Sequence, residues 1–144
     1  MSSHAREVAS EQELQAAFAV RHEVFVIEQK VPVEEELDDR DETAVQIVVF
    51  DDQGEVVGTC RVLDDGDGVA RVGRMAVLAA ARGLGFARDL IDEAERVADG
   101  RGDTTVVLDA QLTARGFYER AGYVAHGDTF MDAGIEHVAM SKAL

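Results

Sequence analysis

Apolar positions along this 144-residue chain change period several times, and each change marks an element. Ser10-Glu11-Gln12-Glu13 reads as a helix start, with the Ser10 hydroxyl capping the first turn and Glu13 reaching back. Leu14, Ala17, Phe18, Arg21, His22 and Phe25 follow at near-helical spacing, so about 11–28 reads as one helix or two short ones. Residues 29–43 read as a charged loop. Residues 44–50 and 55–63 are apolar and β-branched, and Asp51-Asp52-Gln53-Gly54 between them is a turn, which predicts a hairpin. A second turn at 64–68 leads into a third strand at about 69–77, completing an antiparallel meander.

Beyond residue 78 the period lengthens. Phe86, Leu90, Ile91, Ala94, Val97 and Ala98 mark one face of a helix at about 83–99, stopped near Gly100. Residues 104–108 read as a short buried strand, and 111–121 as a helix with Gly122 at its C-cap. Residues 123–130 and 136–142 read as closing strands around a turn at 132–134. The order is β–α–β–β–β–α–β–α–β–β, an α/β chain with one mixed sheet. The sheet is antiparallel at first, and a helical crossover gives it a parallel pair. With no internal repeat and only one proline, Pro32, residues 1–144 read as a single domain.

Composition narrows the function classes. The chain carries 29 Asp+Glu against 14 Lys+Arg, a net charge of −15. Such a surface repels phosphate backbones, which argues against a nucleic-acid partner. At 47% hydrophobic residues it is not a disordered acidic chain. No apolar run approaches the ~20 residues that span a bilayer. MSSHAREVAS lacks an apolar leader, so no membrane partner and a cytoplasmic location are expected. Only Lys30 and Lys142 are lysines. Excess carboxylate with almost no lysine reads as halophilic, an adaptation to concentrated salt that screens self-repulsion. A GC-rich genome would produce the same preference for arginine. The single cysteine, Cys60, lies in the strand-like run VVGTCRVL and reads as core. It can form neither an internal disulfide nor a cysteine-pair metal site. No His/Cys/Asp cluster has metal-ligand spacing, so no metal is expected.

The most informative stretch is 72–91, VGRMAVLAAARGLGFARDLI. A strand ends at Val77, and a Gly-rich turn then opens a helix. Arg82, Gly85 and Ala87 fall in an R-x-x-G-x-A pattern. The first N–H groups of a helix lack internal partners, and its dipole is positive there. Gly83, Gly85 and Ala87 keep side chains out of the way of phosphate oxygens, and Arg82 can add a cationic contact. No Gly-Lys-Ser/Thr follows, so this is not a Walker A loop, and the upstream meander argues against a dinucleotide fold.

A second block, Gln111-Leu112-Thr113-Ala114-Arg115-Gly116-Phe117-Tyr118-Glu119-Arg120-Ala121-Gly122-Tyr123, places Ala114, Tyr118, Gly122 and Tyr123 in an A-x-x-x-Y-x-x-x-G-Y register. Together the two blocks resemble the GNAT superfamily of GCN5-related N-acetyltransferases. The resemblance covers nearly the whole chain. Arg21 to Pro32, Asp38, Asp41, Ala44, Gly58-Thr59-Cys60-Arg61, Gly73-Arg74 and the ending Gly134 to Met140 look like its ElaA-like branch. That branch usually has His where Gln46 stands, and the superfamily often has Asn where Gln111 stands.

The resemblance implies an acyl-CoA N-acyltransferase fold. It also implies an enzyme that moves acetyl from acetyl-CoA, its co-substrate, to a primary amine on a small molecule or peptide. Attack would be direct, in a ternary complex. Alternatives are a CoA-binding sensor or interaction domain with little turnover, or transfer of another acyl group or to another acceptor. A homodimer is held open. The cofactor-binding set carried over is Met75, Ala76, Val77, Arg82, Gly83, Leu84, Gly85, Phe86, Ala87, Arg88 and Gln111. Backbone at 75–77 would pair with pantetheine and offer an N–H to the acyl oxygen. Tyr118 is the candidate general acid. Glu28 and His137 are candidate bases, beside Asp38, Asp41 and simple loss of the amine proton to solvent. Arg21, Arg61 and Arg74 are charges inside apolar stretches. Arg21 is expected to be paired and structural, whereas Arg74 fits either an ion pair or the grip of an anionic acceptor.

Overall fold

The computed structural model describes residues 4–144; residues 1–3, where the segment read for a leader begins, lie outside the described residues. Seven strands form one sheet: β1 (Ala5–Glu7), β2 (Val45–Phe50), β3 (Val56–Gly66), β4 (Val69–Val77), β5 (Thr105–Gln111), β6 (Val124–Asp132) and β7 (Ile135–Ala143). Their spatial order is β1-β2-β3-β4-β5-β7-β6. Only β4 and β5 run parallel, as the crossover through α3 (Phe86–Gly100) requires. The order of the strands, and of the helices that follow β1, β4 and β5, is the one read from the sequence, with short helical turns added between residues 33 and 42.

Each helix has a local cause. At the start of α1 (Glu11–Arg21), Glu13 N–H donates to Ser10 Oγ at 3.1 Å, and Glu13 Oε1 accepts from Ala9 N–H at 2.8 Å. This is the expected capping box, with the carboxylate reaching one residue further back. The chain then widens into a π-helical segment, His22–Glu28, closed by Gln29 N–H donating to Val24 O. Helix α3 starts at Phe86 rather than near 83, because Gly83 and Gly85 sit at φ +78° and +90°. Those left-handed angles exclude them from the helix.

Residues 29–43 are more ordered than a loop. Pro32, at φ −57°, starts the one-turn α2 (Val33–Glu36), and Asp38 caps a 3₁₀ turn, Asp39–Glu42. Strand β5 extends to Gln111, because it pairs with β7 along its whole length. The helix expected at 111–121 is accordingly reduced to a 3₁₀ turn and α4 (Arg115–Arg120).

The two faces of the sheet differ. On one, Leu90, Ile91, Ala94 and Ala98 of α3 pack on Ile47, Val49, Cys60, Val62, Ala70 and Val72. Gly58 sits where the helix comes closest: a Cβ there would lie 2.9 Å from Val49 Cγ1 and 3.2 Å from Leu90 Cδ1. On the other face, Val20, Val24, Phe25 and Val31 pack on Ala76.

Beside that second cluster lies a buried polar network. Arg21 is fully buried, with Nε on Glu36 Oε1 at 2.5 Å, Nη1 and Nη2 on Asp41 at 2.7 and 3.0 Å, and Nη2 on Glu36 O. Arg61 holds Asp38 with both Nη atoms at 2.7 and 2.9 Å and reaches Asp41 at 3.0 Å. Gln46, cross-strand from Arg61, donates to Asp41 at 3.1 Å. The expectation that Arg21 is structural therefore holds, and Arg61 joins it. The network ties the 33–42 segment to the sheet.

Candidate active site

The site begins with an irregularity in β4. Opposite β3, Thr59 pairs with Ala76 and Arg61 with Gly73, so three steps of β4 face two of β3. The extra residue is a bulge, and Arg74 within it takes φ +51°, a left-handed angle rare for a side chain of its size. The parallel pairing with β5 stops at Val72 and Leu108. Beyond that point the two strands are no longer bonded, and the β5-facing backbone of Met75–Val77 is left without a neighbouring strand.

Two adjoining cavities fill this opening, of about 410 and 340 Å³. They share Val77, Arg82, Ala87 and Phe117. The smaller one lies over the Gly-rich turn, with Gly83, Gly85, Phe86 and Arg88 in its wall. No side chain caps α3, so the N–H groups of its first turn are open to a ligand. A Cβ at Gly83 or Gly85 would meet nothing within 4 Å. This open turn suits a pyrophosphate, because its donors, its helix dipole and its free space coincide. Leu84 is exposed and Ala76 is buried in the second core cluster; neither side chain lines a cavity.

The larger cavity collects Gln29, Arg74, Met75, Gln111, Tyr118 and His137. Gln111 and Gln29 clasp amides across it, with Gln111 Nε2 donating to Gln29 Oε1 at 3.0 Å. Tyr118 packs edge-on between Phe117 and Tyr123, at 5.0 and 5.9 Å between ring centres. Burial, and then the neighbouring Cys60, push its phenol well above the usual range, so it keeps its proton at neutral pH. Tyr123, the other tyrosine of that block, donates to Glu95 Oε2 at 2.9 Å and anchors α3 to the sheet end. His137 lies next to Gln111 in the β5–β7 register, and its Nδ1 is 2.7 Å from Ile135 O. A carbonyl only accepts, so Nδ1 carries hydrogen and Nε2 of the neutral ring keeps a lone pair.

Two of the expected site residues are paired with each other. Glu28 lines neither cavity; both its oxygens bind Arg82, at 2.6 and 2.7 Å. That pairing holds its carboxyl below the usual range, which weakens it as a proton acceptor. Arg82, in turn, lines both cavities while holding this pair. Its Nη atoms hold Glu28 and its Nε donates to Val77 O at 2.9 Å, so it bolts the π-helical segment to the end of β4. Arg88 reaches the smaller cavity while paired with Asp92 at 3.1 Å. Asp38 and Asp41, the lesser base candidates, are likewise held in the Arg61 and Arg21 pairs.

Cys60 is fully buried and its thiol is pushed up to about 12 by burial and then by Glu93. It is no acyl-carrying nucleophile. Gln46 lies off both cavities, so its departure from the His of the ElaA-like branch alters the polar network and not the cleft. Among the described residues, no helix is long and apolar enough to cross a membrane. No group of three or more His, Cys, Asp or Glu among them could hold a metal ion.

Comparison with known proteins gives a consistent result. Residues 5–144 match the family described as "Acetyltransferase (GNAT) domain". The Bacillus subtilis protein described as an uncharacterized N-acetyltransferase, YjcF, is 38% identical over 92% of this chain and 94% of its own length. An acyl-CoA N-acyltransferase structure from Pseudomonas aeruginosa superposes with a TM-score of 0.85 at 31% identity, covering 99% of this chain and 100% of that one. Escherichia coli ElaA superposes with a TM-score of 0.84 at 25% identity, covering 98% and 99%.

Proposed function

The chain belongs to the GNAT acetyltransferases and is an acyl-CoA-dependent N-acyltransferase; from that premise we propose that it moves acetyl from acetyl-CoA directly to a primary amine. The observation that carries this reading is the opening between β4 and β5, which runs from the unpaired backbone of Met75–Val77 to the uncapped start of α3. When bound, acetyl-CoA supplies a thioester whose acyl carbon is open to an amine.

The chain's own residues do the rest. The first turn of α3, with Gly83 and Gly85, holds the diphosphate, and Arg88 adds charge at its edge. The unpaired backbone of Met75–Val77 would hold the pantetheine arm as an extra strand, and an N–H there would be available to the acyl oxygen. Tyr118 holds its proton on Oη and donates it toward sulfur as the thiol leaves. His137 takes the amine proton at Nε2. The Gln29–Gln111 clasp fixes the wall between them. The reading as a sensor rested on the missing His at position 46. Gln46 does not line the cleft, so that reading has no observation behind it.

A thiol-release assay across amines, polyamines, amino sugars and peptides tests this. Tyr118→Phe is expected to lower kcat by about 100-fold, with the KM for acetyl-CoA little changed. An unchanged kcat removes Tyr118 from the mechanism.

The charge of −15 belongs to the same proposal. Coenzyme A is a polyanion, so the surface repels it at long range while the local cradle binds it. We take the acidity as adaptation to salt in a cytoplasmic enzyme. CoA affinity is expected to rise as salt increases from low levels, because screening relieves that repulsion. Calorimetric titration across a salt series, showing tighter CoA binding at the lowest salt with the fold intact, would contradict it.

A further inference from the structure

Arg74 is the member of the arginine cluster whose nearest carboxylate contact is as long as 3.4 Å, whereas Arg61, paired closely with Asp38 and Asp41, leaves only its buried Nε without a partner. Three guanidinium groups, those of Arg21, Arg61 and Arg74, share three carboxylates. Arg21 takes Glu36 at 2.5 Å and Asp41 at 2.7 Å; Arg61 takes Asp38 at 2.7 Å. Arg74 has only the remaining contacts, Asp38 at 3.4 Å and Glu36 at 3.8 Å. Its shortest partner is neutral: Nε donates to Glu36 O at 3.0 Å, while Nη2 is shared between Glu35 O at 3.3 Å and Asp38 Oδ2 at 3.4 Å. The carbonyls fix the plane of the guanidinium, and the two long carboxylate contacts offset its charge only in part. Among the described residues Nη1 has no hydrogen-bond partner.

This group faces the larger cavity. It lies three residues before Val77, about 10 Å up the strand from the end of β4 at 3.3 Å per residue, and the Gly-rich turn follows beyond that end. That is the end of the cleft away from the diphosphate cradle. The backbone there is bulged and left-handed at φ +51°, where Gly or Asn would be the easier choice. Burial, then the positive charges of Arg61 and Arg21, disfavour the charged form of this arginine and outweigh Asp38 and Glu36, which favour it; a further anion at Nη1 would act in the same favourable sense as those carboxylates. Glu35, Asp109 and Asp132 reach the same cavity and suit the ammonium form of an acceptor before it loses its proton.

We propose that Nη1 of Arg74 binds an anionic oxygen group, a carboxylate or a phosphate, carried by the amine that accepts the acyl group. This rests on the transferase reading above and narrows its acceptor to zwitterionic amines. Simple polyamines and neutral amino sugars would be poor acceptors.

The test uses the full chain with acetyl-CoA and matched acceptors: α-amino acids against their carboxamides, and phosphoethanolamine against ethanolamine. The anionic member of at least one pair is expected to have a kcat/KM at least tenfold higher, and which pair responds tells carboxylate from phosphate. Arg74→Gln should raise the KM for that acceptor at least tenfold. It should leave kcat, the KM for acetyl-CoA and turnover of the neutral member unchanged, and Arg74→Lys should recover part of the loss. Arg74→Gly, which suits the left-handed backbone, replaces the glutamine variant if the latter does not fold. Neutral members equal to or better than anionic ones in every pair would overturn the inference, as would equal loss for both in Arg74→Gln.

A second measurement separates this from the transferase reading. N-acetyl amino acids, N-acetylphosphoethanolamine and the corresponding neutral amides are titrated calorimetrically into protein saturated with CoA. Binding of the acids that Arg74→Gln abolishes supports the contact even without thiol release, in which case only the transferase reading fails. No Arg74-dependent binding overturns the contact itself.

Discussion

Gly85→Glu is expected to abolish CoA binding, raising the Kd by at least 100-fold while leaving the chain folded. The side chain would project into open space, because a Cβ at this position meets nothing within 4 Å. Its carboxylate would then occupy the mouth of the smaller cavity, over the uncapped N–H groups of α3. A carboxylate there satisfies the helix end by itself and repels the diphosphate that would otherwise do so. The cost to the fold is a backbone cost. Gly85 sits at φ +90°, and a residue with a side chain at a left-handed angle loses roughly 1–2 kcal/mol. Gly85→Ala bears the same backbone cost without the charge and separates the two effects. Thermal unfolding with and without CoA checks both, since a ligand bound only to the native state raises the midpoint. A glutamate variant that is still stabilised by CoA as the parent is would remove the diphosphate from this turn.

Arg21→Ala is expected to have the largest effect on stability, a loss of about 3–5 kcal/mol. That is on the order of 10 °C in Tm for a domain of this size. The arginine is fully buried, and its removal leaves Glu36 and Asp41 as charges without their main partner. The same network makes stability depend on acid. Burial alone would raise the Asp41 carboxyl, but Arg21, with Arg61 and Gln46, outweighs burial and holds it well below its ordinary range. A carboxyl whose folded pKa lies below its unfolded value of about 3.9 contributes fully above that pH. Its contribution fades as pH falls below about 4. Denaturant unfolding at pH 7, 4 and 3 should show this loss, and Asp41→Asn should flatten the profile while lowering stability at pH 7. A parent profile already flat between pH 4 and 3 would count against the network as the source.

Much of the architecture was legible in the chain's periodicity. The stripe from Phe86 to Ala98 marked α3, and alternation with turn residues marked the β2–β4 meander, because both signals are local. The Gly-rich turn was legible for the same reason. Its φ angles demand glycine at 83 and 85 whatever the rest of the chain does. Features that depend on distant partners were not. The bulge at Gly73–Met75 has no local signature, because it is defined by what β3 places opposite. The Glu28–Arg82 pair spans 54 positions, so nothing local shows that the two residues hold each other. Arg21, Arg61 and Arg74 did leave a signal, as charges inside apolar runs. That signal placed them in partly buried surroundings without saying which carboxylates each would claim. The short α2 was hidden by the acidity of its segment, although Pro32 marked its start.

The parting of β4 from β5 also bears on solubility. An unpaired strand edge invites another strand, and a sheet that ends in one risks growing into its neighbour. Here the unpaired edge is internal. It is flanked by β5 on one side and roofed by α4 and the π-helical segment, in a cleft whose larger cavity is only about 410 Å³. A thin, flexible ligand arm can thread such a slot, whereas a polypeptide strand, with side chains on both faces, cannot lie flat in it. The chain can thus keep a row of unpaired main-chain donors for its co-substrate without offering them to a second copy of itself.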